Sequence, residues 1–212
     1  MEFQIDGTVL PILTITLKKG ESVYSQSGSL VSMTEGIVFQ TELLGGITKA
    51  IRRLAGKESA FITRFIAKED GAVVSFSEEN VPGVTRAFYL DNDELLCERS
   101  SFLCSESTVD LDIAFLRKIS AGIFSKESFV FLRVSGKGYV FLHPHGEIKE
   151  HTLKEGEKLR VSRGKVVAFE KTVDFNVVFL KTAKTILFSK EGLFITELTG
   201  PGKVYVQSTV KW

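Results

Sequence analysis

Phe129-Val130-Phe131-Leu132-Arg133-Val134-Ser135-Gly136-Lys137-Gly138-Tyr139-Val140-Phe141-Leu142 is the stretch whose reading decides the fold. An apolar run broken only by Arg133 meets a glycine-bearing tetrapeptide, and a second apolar run follows. Composition and length predict two β-strands joined as a hairpin. The pattern occurs twice more. Phe61–Ile66 leads through Glu69-Asp70-Gly71 into Val73–Phe76, and Leu193–Leu198 leads through Gly200-Pro201-Gly202 into Val204–Gln207. Each copy is preceded by a basic-acidic phrase: Lys57-Glu58-Ser59, Lys126-Glu127-Ser128 and Lys190-Glu191-Gly192. These phrases lie 69 and then 64 residues apart.

Self-similarity at such a period is the mark of a copied supersecondary unit. It extends well beyond the phrase. Thr108-Val109-Asp110-Leu111 matches Thr172-Val173-Asp174-Phe175, and Phe115-Leu116 matches Phe179-Leu180. Phe124-Ser125-Lys126-Glu127 matches Phe188-Ser189-Lys190-Glu191. Leu17-Lys18-Lys19-Gly20-Glu21 echoes Leu153-Lys154-Glu155-Gly156-Glu157. The expected organisation is a single β domain over 1–212, built from three units at approximately 1–80, 81–143 and 144–212. Short strands punctuated by glycine turns predict an all-β fold of sandwich or double-stranded β-helix type, with little helix. The stretches Leu43–Ala55, Ile113–Ile123 and Val177–Leu187 resist a strand reading. In the first, Ile47, Ala50, Ile51 and Leu54 have helical spacing, which predicts a short helix or irregular loop.

The chain has 212 residues, 43% of them hydrophobic and 25% charged, within the ordinary range for a globular protein. Its 17 phenylalanines favour strands and large core contacts. No stretch approaches the roughly 20 apolar residues of a membrane-spanning helix. The amino terminus reads as neither a secretory nor a mitochondrial leader, so a cytoplasmic location is expected. Cys97 and Cys104 are read as buried free thiols in a reducing compartment.

Pro82-Gly83-Val84 leading to Phe88-Tyr89-Leu90, then Asp91–Leu96 and Ser101-Phe102-Leu103, resembles the altered-inheritance-of-mitochondria 24 family. Leu44-Gly45-Gly46 followed by Gly56-Lys57-Glu58-Ser59 and Phe61 carries the same resemblance. It implies a β fold similar to the tryptophan RNA-binding attenuation protein, present as related internal copies, and a tendency to form rings or compact oligomers. Mitochondrial members of that family look like organisers of inner-membrane assemblies. This chain does not show their targeting segment, and that role is not carried over. The resemblance supplies no catalytic residues.

Templates for chemistry are sparse. A phosphate-binding Gly-rich loop, a Gly-x-Ser-x-Gly elbow and paired metal-ligand cysteines are all absent from the sequence, so no catalytic residue, cofactor or metal is predicted. His143, His145 and His151 fall within nine residues and raise the prospect of a metal site, which requires about four convergent ligands. Their position between strands favours a solvated turn. Glu58, Glu127 and Glu191 would converge if the units surround a pseudo-threefold axis; closing the same turn three times explains them equally.

The charge pattern is more informative. Lys49, Arg52, Arg53 and Lys57 fall in one acid-free window, Arg117, Lys118 and Lys126 in a second, and Lys181, Lys184 and Lys190 in a third. These ten cations belong to a chain of net charge +1, so the remainder is net acidic. Interleaved with Ile, Leu and Phe, they form a candidate surface for anionic lipid or an anionic protein partner, with nucleic acid less favoured. Uncovered apolar runs predict a homo-oligomer, with a trimer as the expected state. The functional expectation is a non-enzymatic oligomeric scaffold, peripheral to membranes. Its alternatives are an RNA- or small-ligand-binding module, by fold analogy, and a cupin-like metal enzyme.

Overall fold

The run Phe129–Leu142 does not fold back on itself. In the computed structural model, which describes residues 1–43, 61–78, 82–116, 129–162, 164–179 and 194–210, it is one 14-residue strand. Strand β1 (Glu2–Asp6) precedes a first set comprising β2 (Ile12–Leu17), β3 (Ser22–Gln26), β4 (Leu30–Met33), β5 (Ile37–Leu43), β6 (Phe61–Ala67) and β7 (Ala72–Phe76). A second set follows: β8 (Arg86–Glu98), β9 (Phe102–Glu106), β10 (Val109–Leu116) and β11 (Phe129–Leu142). The third is β12 (Ile148–Leu153), β13 (Lys158–Val161), β14 (Val166–Glu170), β15 (Asp174–Phe179), β16 (Phe194–Thr199) and β17 (Gly202–Gln207). A 3-10 turn at Arg99–Ser101 is the one helical element among the described residues.

All named ladders are antiparallel, and one pairing pattern recurs. In the first set β7 lies between β2 and β4, while β6 lies between β3 and β5. In the third, β17 lies between β12 and β14, and β16 between β13 and β15. In the second, two long strands each take two places. The amino-terminal part of β11 pairs with β10 and the end of β8; its carboxy-terminal part pairs with β9 and the start of β8.

The expected hairpins are therefore corrected. Consecutive β6 and β7 do not pair with each other, nor do β16 and β17; each pair carries the chain from one sheet to another. Strand β11 runs through the corresponding stretch without a break and within one sheet, with a register shift at Gly136/Lys137. The reason is that both apolar runs bury side chains into one core, in the first and third sets from different sheets. Phe65 and Ala67 of β6 meet Ala72, Val74 and Phe76 of β7, and Leu132 and Val134 meet Val140 and Leu142 within β11. A hairpin would leave both runs side by side in a single sheet. Glycine is required at this crossing. Gly138 (φ 147°) and Gly202 (φ 138°) hold corresponding places, and a Cβ there would meet Thr108 Oγ1 or Thr172 Oγ1 at 2.7 or 2.6 Å.

The echo between Leu17–Glu21 and Leu153–Glu157 has a concrete cause. The Lys18 amide donates to Glu21 Oε2, and the Lys154 amide to Glu157 Oε2, each at 2.9 Å. Gly20 and Gly156 take the left-handed conformation in these turns. In β8 the chain runs on instead. Asn92 adopts φ 57° as an unpaired residue between Asp91↔Lys137 and Asp93↔Gly136, a β-bulge where the other two sets turn.

Two seams join the sets. Strand β3 pairs with β9, and the end of β8 pairs with β14. Three cores result, and each contains residues from a neighbouring set. Leu103, Cys104 and Phe141 enter the first; Val167, Ala168 and Tyr205 enter the second; Leu96, Ala114 and Phe131 enter the third. In the third core Phe131 meets Phe169 and Phe175 edge-to-face, at 5.3 and 5.2 Å between ring centres.

Phe169→Ala is expected to cost about 3–5 kcal/mol, because a fully buried ring is deleted against two others. Phe39→Ala, at an exposed ring, should stay within about 0.5 kcal/mol. Urea unfolding followed by circular dichroism checks both.

Candidate functional site

All ten basic residues singled out in the sequence lie outside the described residues, as do Glu58, Glu127 and Glu191. What the structure fixes is where their segments begin and end. Leu43↔Phe61 closes the β5–β6 ladder, Leu116↔Phe129 closes β10–β11, and Phe179↔Phe194 closes β15–β16. Segments 44–60, 117–128 and 180–193 thus connect corresponding ladder ends. The helix expected in Leu43–Ala55 falls in the first of these, outside the described residues apart from Leu43 at the end of β5. Ile113–Leu116 and Val177–Phe179 are strand.

The histidines require a correction. His143 and His145 are 1% exposed, not in a solvated turn. The His143 amide donates to the Ser101 carbonyl at 2.7 Å, in line with Ser77 to Ser29 and Gln207 to Lys165, both at 2.9 Å. Its ring Nδ1 lies 3.1 Å from Thr85 Oγ1. The His145 amide donates to Gln207 Oε1 at 2.8 Å. Gly83 bridges to His145 and Gly146 and donates to the Val9 carbonyl at 2.8 Å; a side chain there would overlap the Pro144 carbonyl oxygen. His151 sits instead on β12, opposite Val204. Among the described residues no group of three or more His, Cys, Asp and Glu is placed to hold a metal ion. The signal that places His143 is its alignment with Ser77, which follows β7, and Gln207, the last residue of β17.

Cys97 and Cys104 are buried free thiols, as expected. Burial pushes both well above the ordinary thiol range. At the opposite end of the chain, Glu197 receives Lys158 Nζ at 2.8 Å and Arg160 Nε at 2.9 Å. Hydrogen bonds from these two cations hold its carboxyl below the usual carboxylate range.

Exposed apolar groups concentrate in the first set. Val9, Leu10, Val31 and Phe39 are at least half exposed, with Leu30 and Met33 close behind. A shallow groove of about 140 Å³ is lined by Gln26, Gly28, Leu30, Phe39, Thr63 and Phe65, beside β4. The sequence gives no sign of it, because those residues read as ordinary strand positions.

The family described as mitochondrial biogenesis AIM24 matches residues 3–209. The chain belongs to that family. An uncharacterized protein of Streptococcus pyogenes serotype M6 is 28% identical over 217 residues, spanning 98% of this chain and 86% of that protein. The crystal structure of a Streptococcus pyogenes protein superposes with a TM-score of 0.77 at 25% identity, covering 99% of this chain and 94% of that one. This AIM24 chain therefore shares its all-β, sandwich-like architecture with a solved structure over nearly its whole length.

Two outcomes follow from the site chemistry. Neither cysteine should react with iodoacetamide at pH 8 in the folded protein, and both should react in urea; mass spectrometry reads the adducts. Glu197 contributes stability above the ordinary carboxylate value of 4.5, and loses it as pH falls through its lowered folded value. Glu197→Gln should therefore flatten the fall in thermal midpoint between about pH 5 and pH 3.

Proposed function

We propose that this AIM24-family chain is an oligomeric interaction scaffold, not an enzyme. In this reading it is one domain of three related units, resides in the cytoplasm and docks peripherally on membranes rich in anionic lipid. The observation that carries the reading is the position of the three basic segments, each of which sets three or four cations against a single glutamate. Each connects the same pair of ladder ends in its set. Headgroup attraction is worth about 1 kcal/mol per basic residue near an anionic surface. Ten such residues exceed what weak membrane association needs, even when only half engage. Ile51, Leu54, Ile123, Phe124, Leu187 and Phe188 in the same segments add apolar contact of the kind a bilayer interface accepts. A phosphate backbone would use the same cations but gains little from aliphatic side chains, which favours lipid over RNA.

The test is co-sedimentation with vesicles of phosphatidylserine and phosphatidylcholine, against phosphatidylcholine alone. Retention should require phosphatidylserine and fall with salt. The variant Arg52→Ser/Arg53→Ser/Arg117→Ser/Lys118→Ser should lose it, with a thermal midpoint close to that of the parent, since charges that serve a lipid surface would contribute little to folding. Equal retention of parent and variant, or retention on RNA without retention on vesicles, would sink the lipid reading.

A further inference from the structure

One end of the first set carries a surface without charge. Residues 7–17, 22–34 and 71–77 contain no Asp, Glu, Lys, Arg or His, although 25% of the chain is charged. These runs supply β2, β3, β4 and β7, the loop before β2 and the turn between β3 and β4. Within them Val9 is 61% exposed and Leu10 52% exposed, and Ile12, Leu30 and Val31 are exposed as well. Single exposed apolar residues are ordinary on a protein surface, whereas an uncharged group of them marks a place of contact.

Strand pairing brings these side chains together. Leu13 and Leu30 stand on either side of Phe76. Ser77, the next residue, donates from its hydroxyl to the Pro11 carbonyl and from its amide to the Ser29 carbonyl, both at 2.9 Å. Val9, Leu10 and Ile12 therefore flank one side of the end of β7, and Leu30 and Val31 the other. The ladder end Leu43↔Phe61 lies at this same end of the set, because Gln26 pairs with Ile62 and only the turn 27–29 separates Gln26 from Leu30. The other sets are built differently here. Leu13, Arg86 and Lys149 stand opposite Phe76, Leu142 and Val206, so Leu10 holds the place of Gly83 and Gly146. Val31 holds the bulged place of Leu103 and Val167 in the β4, β9 and β14 ladders, yet it is half exposed and they are fully buried.

We propose that Val9 and Leu10, with Ile12 and Leu30 behind them, insert into the hydrocarbon side of a lipid interface. The inference deepens the membrane reading, from which it takes the lipid surface, by naming the part of the chain that enters the bilayer. Three features suit hydrocarbon. No ionised side chain in these runs has to leave water. Two carbonyls of the loop are already satisfied within the protein: Val9 accepts from the Gly83 amide at 2.8 Å and Pro11 from Ser77, while Pro11 has no N–H to satisfy. The loop is also closed at its base, since a Cβ on Gly7 would lie 3.4 Å from Pro11 Cα, so insertion orders little chain. A protein partner would need a socket shaped to this projecting pair, whereas a fluid bilayer closes around it.

Two measurements on the full chain decide it. Monolayers of phosphatidylcholine alone offer the basic segments no anionic lipid, so a rise in surface pressure reads apolar insertion. The parent should penetrate them, and Val9→Ser/Leu10→Ser should need about tenfold more protein for the same rise, at an unchanged thermal midpoint because both side chains are exposed. On vesicles containing phosphatidylserine, a fluorophore on Val9→Cys should be quenched by nitroxides on the lipid acyl chains. One on Lys68→Cys, just past the far end of β6, should not be; Cys97 and Cys104 are buried, which keeps the label at one site. The two readings fail separately. Retention on phosphatidylserine vesicles with the Val9 label unquenched overturns the insertion and leaves the scaffold reading standing. Penetration of phosphatidylcholine by the parent but not by the variant, without phosphatidylserine-dependent retention, does the reverse. Equal penetration by parent and variant also overturns the insertion. So does a variant that penetrates like the parent but loses self-association in light scattering, which assigns the tip to a second copy.

Discussion

Every strand edge that lies inside this protein has to be met by another edge, and the β3–β9 and β8–β14 seams do this. Unpaired backbone N–H and C=O groups are costly once water is excluded, so these seams decide which surfaces become interior. Leu103, Cys104 and Phe141 belong to the first core because β9 is held against β3. Val167 and Ala168 belong to the second because β14 is held against β8. Strand β4 is the contrast: it has a similar apolar pattern and a free edge, and its side chains stay in solvent.

The passage between sheets is the second device on which the architecture rests. In the first and third sets consecutive strands contribute side chains to one core from two sheets, and β11 does so with its two halves inside one sheet, so a few glycines organise a large buried surface. The three sets achieve the crossing differently. Two use a short connection, and β11 stays continuous by shifting register at Gly136/Lys137. Its partner β8 accommodates this with Asn92 in the left-handed conformation, and Lys137 Nζ meets Asp91 Oδ1 at 3.0 Å beside the bulge. Asn tolerates that conformation better than most residues, which is why the bulge survives without glycine.

The polar groups described in the interior join segments of the chain. His143 continues a hydrogen bond that Ser77 and Gln207 also make, and His145 anchors the Gln207 side chain through its amide. Gly83 lets the linker between the first and second sets approach the one between the second and third. A site of this kind resembles a catalytic cluster in sequence because histidines are close together. In space it is a junction. The charged residues with a functional reading belong to segments whose flanking ladder ends are described, in a chain that shares its architecture with a solved structure.

The sequence by itself determined the all-β class, because apolar runs of strand length recur between glycine-bearing turns and helical spacing is nearly absent. It also determined the family, and the burial of Cys97 and Cys104, since both sit in dense apolar runs. Tertiary structure decided the rest. Whether Phe129–Leu142 folds back or crosses depends on which sheet offers a partner edge, and local composition is the same in both cases. His143 is buried because Ser101 and Thr85, both more than forty residues away, close over it. Val31 and Val167 are the same residue type in corresponding places, yet one is exposed and the other buried. Strand pairing partners are non-local, and the residue types of a strand do not record whether its outer edge is met.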